Sequence, residues 1–361
     1  MRLLSVVGRH LAREILLGTG ILLLAFLGLF AFFDFVNELE DLGKGGYGVL
    51  DAIVYVGLLL PGRVYELLPI VVLIGTLYAL TTLARQSEIT VMRVSGMSTG
   101  RMLRTLAGIG SIFVVLTFAV GELVAPPAEQ AAQQWRLAAT GSAMSSQLES
   151  GVWVKDEDDY INVSTVFPDG TVRGVRIHDF DEERRLRSVR VANSGRFDEA
   201  AGVWKLSGIV ETHFEGDAVR LVRRNAADWA SQLTPRVLSV LMVSPERMSL
   251  GTLVTYISHL RDNRQDTQRF EIALWKKLTY PLAVFVMMAL ALPFALVHDR
   301  MGAVSVKVFL GVMLGIGFHM LNGLFGNLGL INAWPPALAA ITPSALFLLA
   351  ATAMLVRVDR R

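Results

Sequence analysis

From Ile15 to Phe33 the chain carries no charged side chain, and the same holds over Leu67–Ala84, Leu106–Gly121, Leu278–Val297, Val308–Leu330 and Pro336–Val356. A bilayer core roughly 30 Å thick needs about 20 apolar helical residues to cross it. Inside hydrocarbon every backbone N–H and C=O must be satisfied within the protein, which leaves helices or closed barrels, and these runs are too long and too uniformly apolar for barrel strands. The composition agrees, at 53% hydrophobic and 18% charged residues, outside the range of an ordinary soluble domain. The expected fold is an α-helical integral membrane protein with six transmembrane helices, near residues 15–35, 52–84, 103–124, 275–297, 305–325 and 336–356.

The first run, preceded by Arg2, Arg9 and Arg13, has the outline of a signal peptide. Its length, and the acidic Asp34–Asp41 exit in place of a small-residue cleavage site, predict a retained helix instead. The second span is interrupted by Pro61, Arg63, Glu66 and Pro69, and the third is expected to stop at the Pro126-Pro127 pair.

Between residues 128 and 270 the pattern changes. Gly151–Lys155, Tyr160–Val163, Thr171–Ile177 and Val203–Leu206 are short apolar-rich segments broken by charged turns, the signature of strands. The chain is therefore expected to consist of a first transmembrane half (1–127), an inserted water-facing β-rich domain (128–270) and a second transmembrane half (271–361).

Orientation follows from lysine and arginine near the span ends. Arg2, Arg9 and Arg13, then Arg85, Arg93, Arg101 and Arg104, then Arg300 and Lys307, and finally Arg357, Arg360 and Arg361 all fall on one side. Both termini are thus expected to be cytoplasmic and the middle domain outside, despite its basic Arg184, Arg185, Arg187 and Arg190, because long translocated domains weigh little in this rule.

The chain has no cysteine, which excludes disulfides, thiolate catalysis and cysteine-ligated metal. No Gly-Lys-Ser/Thr phosphate loop and no His-Glu-x-x-His occur. The histidines at 10, 178, 213, 259, 298 and 319 have no ligand spacing. His319 lies within a span, where it is either satisfied by a neighbouring helix or carbonyl or takes part in proton relay. Gly311, Gly315 and Gly317 suit close helix packing. Arg63 and Glu66 stand one turn apart in a span, as a mutual ion pair or as a cavity wall that meets an anionic substrate. Between the second and third spans, 85–96 is a short amphipathic segment with Ser87 as its cap and Ile89, Met92 and Gly96 on one face; it either skims the membrane or docks into a cytoplasmic partner through Glu88, Arg85 and Arg93.

Leu83-Ala-Arg-Gln-Ser-Glu-Ile-Thr-Val-Met-Arg-Val-Ser-Gly-Met, Gly121-Glu-Leu-Val-Ala-Pro, the Gly151-Val-Trp-Val-Lys-Asp strand and Trp275-Lys-Lys-Leu-Thr-Tyr-Pro-Leu closely resemble the permease subunits of the lipopolysaccharide export transporter, the LptF/LptG family, and most resemble its LptG-type subunit. The likeness covers essentially the whole chain and implies that the inserted domain is an all-β jellyroll-like one. It implies a non-catalytic subunit of an ABC-type transporter in the bacterial inner membrane, extracting lipopolysaccharide and passing it to a periplasmic bridge toward the outer membrane. The implied partners are a sister LptF-type permease, two copies of a cytoplasmic ATPase, a single-span LptC-type regulatory subunit and the bridge protein. No cofactor is implied on this chain; ATP and Mg belong to the partner ATPase.

The same likeness implies that 85–96 is the coupling helix, with Glu88 its contact, and that the first and fifth spans form a lipid gate. The outer end of the first span departs from the family, with Asp34, Glu40 and Asp41 where basic residues suit lipid phosphates. Phosphate contacts are therefore expected at Arg63, Lys44 and Arg136. Val152, Val154, Ile161 and Val163 are expected to line a conduit for acyl chains, with an ordinary packed sandwich as the alternative. From the residues alone, a membrane anchor with a sensory external domain remains the other reading, and a self-powered carrier is weakened by the absence of paired broken helices.

Overall fold

The computed structural model describes residues 6–140, 152–156, 159–166, 171–181, 183, 185–199, 201–215, 218–231, 233–234, 244–262, 264–297 and 304–359. Arg2, Gly151, Arg184, His298, Arg300, Arg360 and Arg361, which entered the orientation, strand and metal arguments, lie outside them. Among the described residues six helical stretches are long and apolar enough to cross a bilayer: Val7–Asp41, Val49–Arg85, Thr99–Thr140, Gln268–Ala295, Ser305–Ile331 and Pro336–Arg357.

Helix α1 (Val6–Glu38) and helix α2 (Val49–Arg85) form an antiparallel hairpin. Their approach is close because Gly75 faces Thr19: a Cβ at Gly75 would stand 2.9 Å from the Thr19 Cα. Helix α2 runs without a break through Pro61 and Pro69. Each proline withdraws one amide hydrogen from the carbonyl four residues back, and membrane helices tolerate this where neighbours supply donors. The carbonyl that loses its amide to Pro69 is that of Tyr65; the next one along, that of Glu66, accepts from the Tyr280 hydroxyl at 2.5 Å.

A left-handed Ser87 (φ 61°) breaks the chain into α3 (Glu88–Val94), and its hydroxyl forms no cap, contrary to the expectation from sequence. Helix α3 is closed instead at its far end. Met97 N–H donates to Met92 O and Gly96 N–H to Arg93 O, both at 3.0 Å, with Gly96 at φ 91°. This is a Schellman arrangement, in which glycine accepts the left-handed conformation at no steric cost. Ile89 is buried, whereas Val91, Val94 and Gly96 face outward.

Helix α4 (Thr99–Ala119) starts at Ser98, whose hydroxyl accepts from the Arg101 amide at 3.3 Å. Pro126 and Pro127 do not stop it. A π-helical turn over Val120–Val124 leads directly into α5 (Ala125–Thr140), and the two prolines occupy the first turn of α5. The wider π turn changes which amides the preceding carbonyls need. Residues 128–140 are therefore helical, so the segment 128–270 is not made of strands alone.

The strands are β1 (Val152–Asp156), β2 (Asp159–Val166), β3 (Val172–Phe180), β4 (Leu186–Asp198), β5 (Val203–Glu215) and β6 (Ala218–Trp229). They pair consecutively and antiparallel in one six-stranded sheet. This inserted antiparallel β domain is consistent with a jellyroll-like domain. Its alternate side chains form a row across the strands, in which Val152 faces Val163, Val163 faces Val175, Val175 faces Ala192 and Ala192 faces Ile209. The row belongs to an apolar core built around Trp204, whose indole donates to the Leu233 carbonyl at 2.5 Å.

After a single 3₁₀ turn at Pro245–Arg247 come α6 (Leu250–Asp262) and α7 (Gln268–Thr279). A second such turn at Tyr280–Leu282 joins α7 to α8 (Ala283–Val297). Helices α9 (Val304–Ile331) and α10 (Pro336–Asp359) complete the bundle. Gly311 and Gly315 let α9 approach α2, since added Cβ atoms would meet Leu77 and Ile70; Gly317 faces open space and plays no such part. Helices α2 and α8 form the interior. By contrast α1 and α9 leave long apolar faces uncovered, Leu17, Ile21, Leu24 and Phe32 on one and Phe309, Met313, Ile316 and Met320 on the other.

Candidate functional site

At the outer end of the bundle two basic side chains tie α1 to its neighbours. Arg63 on α2 donates through Nε and Nη2 to both carboxylate oxygens of Asp34 on α1, at 2.9 and 2.6 Å, and through Nη1 to Glu66 at 3.1 Å. Its guanidinium also lies over the Phe30 ring. Both acids and the ring therefore hold the fork in a fixed plane, and the two-point bond to Asp34 is the geometry a guanidinium satisfies best.

Arg136 on α5 donates to Glu38 at 2.8 Å and to Asp41, and stacks over Tyr55. Lys44 pairs with Asp41 at 2.5 Å, and the Tyr47 hydroxyl donates to Glu38 at 3.2 Å. Burial, followed by the neighbouring Glu38 carboxylate, pushes the Tyr47 hydroxyl well above its ordinary value, so it stays a donor. Of the three acids at the outer end of the first span, Asp34 is matched to Arg63 and Asp41 to both Lys44 and Arg136, while Glu40 pairs with no basic side chain among the described residues. Glu38, a partner of Arg136, was missed because it lies inside a helical run, next to the more conspicuous Glu40 and Asp41.

Between α2, the π turn, α5, α7 and α9 lies a cavity of about 340 Å³. Its walls bring together Arg63 and Glu66, Glu129 and Arg247, Lys276 and Lys277, and the α9 side chains His319, Asn322 and Asn327. Most charges in the wall are paired. Arg247 donates to Glu129 at 2.6 Å, and Lys277 donates to the Met248 carbonyl with Glu122 at 3.7 Å. The Glu122 carboxylate in turn accepts from the Leu250 amide at 2.9 and 3.0 Å, fixing the start of α6. His319, expected to be satisfied by a neighbouring helix or used in a relay, lies on this wall. Among the described residues no three histidine, aspartate or glutamate side chains converge as a metal site would require.

At the opposite end, the Glu88 carboxylate on α3 meets the His10 imidazole of α1 at 3.2 Å, with about two-fifths of each side chain still open to solvent. Arg85 ends α2 and Arg93 lies in the last turn of α3, both on the exposed side. Glu88, Arg85 and Arg93 thus share one short surface segment. Lys44 and Arg136 share a cluster that Arg63 does not join directly. Val152, Val154, Ile161 and Val163 form two cross-strand pairs on one face of the sheet, all at most 7% exposed within the apolar core of the domain.

Residues 9–357 match the family described as "Lipopolysaccharide export system permease LptF/LptG". Two relatives carry the description lipopolysaccharide export system permease protein LptG. One, from Escherichia coli strain K12, is 33% identical over 360 residues, covering 99% of both chains. The other, from Haemophilus influenzae, is 29% identical over 346 residues, covering 96% of this chain and 97% of its own.

Proposed function

From membership of the LptF/LptG family of lipopolysaccharide export permeases, to which this chain belongs, we propose that it is the LptG-type half of a two-permease transporter in the bacterial inner membrane. In this reading it takes lipopolysaccharide from the outer leaflet and hands it, through its periplasmic β domain, to a bridge toward the outer membrane. Both termini face the cytoplasm. ATP is hydrolysed on two copies of a separate ATPase, and an LptF-type sister and a single-span LptC-type subunit complete the assembly.

The full-length correspondence with lipopolysaccharide export permeases carries the reading. The uncovered apolar faces of α1 and α9 are compatible with it: lipid covers such faces on a membrane span, and an opening between two permeases would present both of them to lipid. The exposed segment Arg85–Gly96 supports docking of the hydrolase, with Glu88, Arg85 and Arg93 as contacts. Arg63, Lys44 and Arg136 reach phosphate only by sharing or exchanging their present carboxylates, so we assign them first to holding α1 in place.

The test is reconstitution of this chain with its sister permease and the ATPase in proteoliposomes. ATP-dependent release of lipopolysaccharide to an added periplasmic acceptor is the expected result. An anchor with a sensory domain would yield neither release nor a co-purifying nucleotide hydrolase.

We place the acyl-chain path along the apolar face that carries Val152, Val154, Ile161 and Val163. Photo-crosslinkers at Val154 and Ile161 should label lipopolysaccharide during turnover, while those at the outward Trp153 and Tyr160 should not. Equal labelling of both sets, or of neither, would remove the conduit from this face.

A further inference from the structure

The cavity near the outer end of α2 contains a cation that the paired charges around it do not use. Lys276 on α7 projects into the wall, and among the described residues its ammonium has no ion pair and no hydrogen bond; Glu246 acts on it only through space. Its charged end lies against Gly326 of α9, where any added Cβ would collide with Nζ. The glycine therefore makes room for the charge rather than for a neighbouring helix.

The facing wall is unusual for a membrane span. His319, Asn322, Gly323 and Asn327 follow one another at intervals of three, one and four residues along α9, which places them within a broad arc of an otherwise apolar helix, and all four line the cavity. Among the described residues the side chains of Asn322 and Asn327 form no hydrogen bonds. Among the described residues neither these amides nor the ammonium is sealed from the open space of the cavity, so their N–H groups are free to meet a polar ligand there. Arg63, Arg247 and Lys277 each already hold an acceptor, which leaves Lys276 as the group with bonds to give.

We propose that this cavity is an anion socket for a phosphate group of the transported glycolipid's headgroup, with Lys276 as its charged donor and Asn322 and Asn327 as neutral donors. Asn322 and Asn327 can each turn two N–H donors toward a tetrahedral oxyanion, and Lys276 adds up to three. The carboxylates in the wall do not repel it as free charges would. Glu129 is matched by Arg247, Glu66 shares Arg63 with Asp34, and Glu246 sits at the exposed mouth. The socket thus supplies the phosphate contact that Arg63, Lys44 and Arg136, already bound to acids, are poorly placed to give. This assignment rests on the proposed lipid-export function.

The experiment measures binding of two probes to the detergent-purified complex of this chain with its sister permease and ATPase: lipid A carrying its phosphates, and the same lipid A enzymatically dephosphorylated. The wild-type complex should prefer the phosphorylated probe by roughly tenfold or more, the ordinary worth of a charge-assisted hydrogen bond. Lys276→Gln should lose most of that preference and Lys276→Arg should keep it, while affinity for the dephosphorylated probe changes little in either. Gly326→Ala, which displaces the ammonium without removing its charge, should also lower the preference and serves in place of Lys276→Gln if that variant does not assemble. An unchanged preference in Lys276→Gln or Gly326→Ala overturns the socket. Displacement of the bound phosphorylated probe by millimolar inorganic phosphate would also overturn it, by assigning the site to the free ion. Binding of neither probe by the wild type would instead reject the lipid-export reading on which the socket rests.

Discussion

Arg63→Ala is expected to cost the bundle about 3 kcal/mol, because it leaves the largely buried Asp34 carboxylate without its counter-ion, and removing one member of a buried pair leaves an uncompensated charge. The Asp34 side chain is only 12% exposed, so water cannot replace the lost bonds at little cost. A lowered thermal midpoint of the purified protein in mild detergent would record the loss. Exchanging Arg63 with Glu66 should not recover it, since Asp34 accepts two of the three bonds from the guanidinium. Arg63→Asp combined with Asp34→Arg should recover most of it, since the α1–α2 pair is re-formed. An unchanged midpoint for Arg63→Ala would show that this contact does not hold α1. Stability regained without lipopolysaccharide release would show that Arg63 also meets substrate.

Charge reversal at the other end should act on assembly rather than on folding. Glu88→Lys is expected to weaken association with the ATPase roughly tenfold or more, the usual cost of reversing a charge inside an interface. A solvent-exposed ion pair alone would contribute only about 0 to 1 kcal/mol, so a large loss would locate Glu88 inside a contact. His10→Ala separates two routes to that loss. If Glu88 reaches the hydrolase directly, removing its imidazole neighbour leaves association near the wild-type value; an equal loss would mean that Glu88 works by holding α3 against α1. Full association of Glu88→Lys, measured by co-purification and by lipid-stimulated ATP hydrolysis, would remove the residue from the interface.

The spans were legible because hydrocarbon leaves a chain few choices: uninterrupted apolar runs such as Ile15–Phe33 and Leu278–Val297 can hardly be anything else. The alternation of Val152, Val154, Ile161 and Val163 likewise announced a sheet with one apolar face. Continuation of the third span past Pro126 was not legible, since proline's missing amide breaks a helix only where that amide was needed. After the π turn at Val120–Val124 it falls in a first turn, where it is tolerated.

The Asp34–Arg63 bond was not legible in the sequence. Asp34 lies four residues before the end of α1 and Arg63 fourteen after the start of α2, so it is the path of residues 39–48, with its two short 3₁₀ turns, that brings them to one depth. The cavity was beyond reach. His319 was visible as a polar residue in an apolar helix, but Lys276 belongs to another element, and only packing shows that Gly326 leaves it room.

The unbroken stretch Thr99–Thr140 has a mechanical consequence. At 1.5 Å per residue its 42 residues form a mast about 63 Å tall, footed beside α3 and followed in the chain by the β domain. Ala132, packed against Tyr55 and Val56 of α2, braces the mast above the π turn. A tilt of about 10° at the foot would carry the head sideways by roughly 11 Å, more than two strand spacings. A small tilt at the foot would therefore shift the attachment of the β domain by about two strands of its six-stranded sheet without any change of fold.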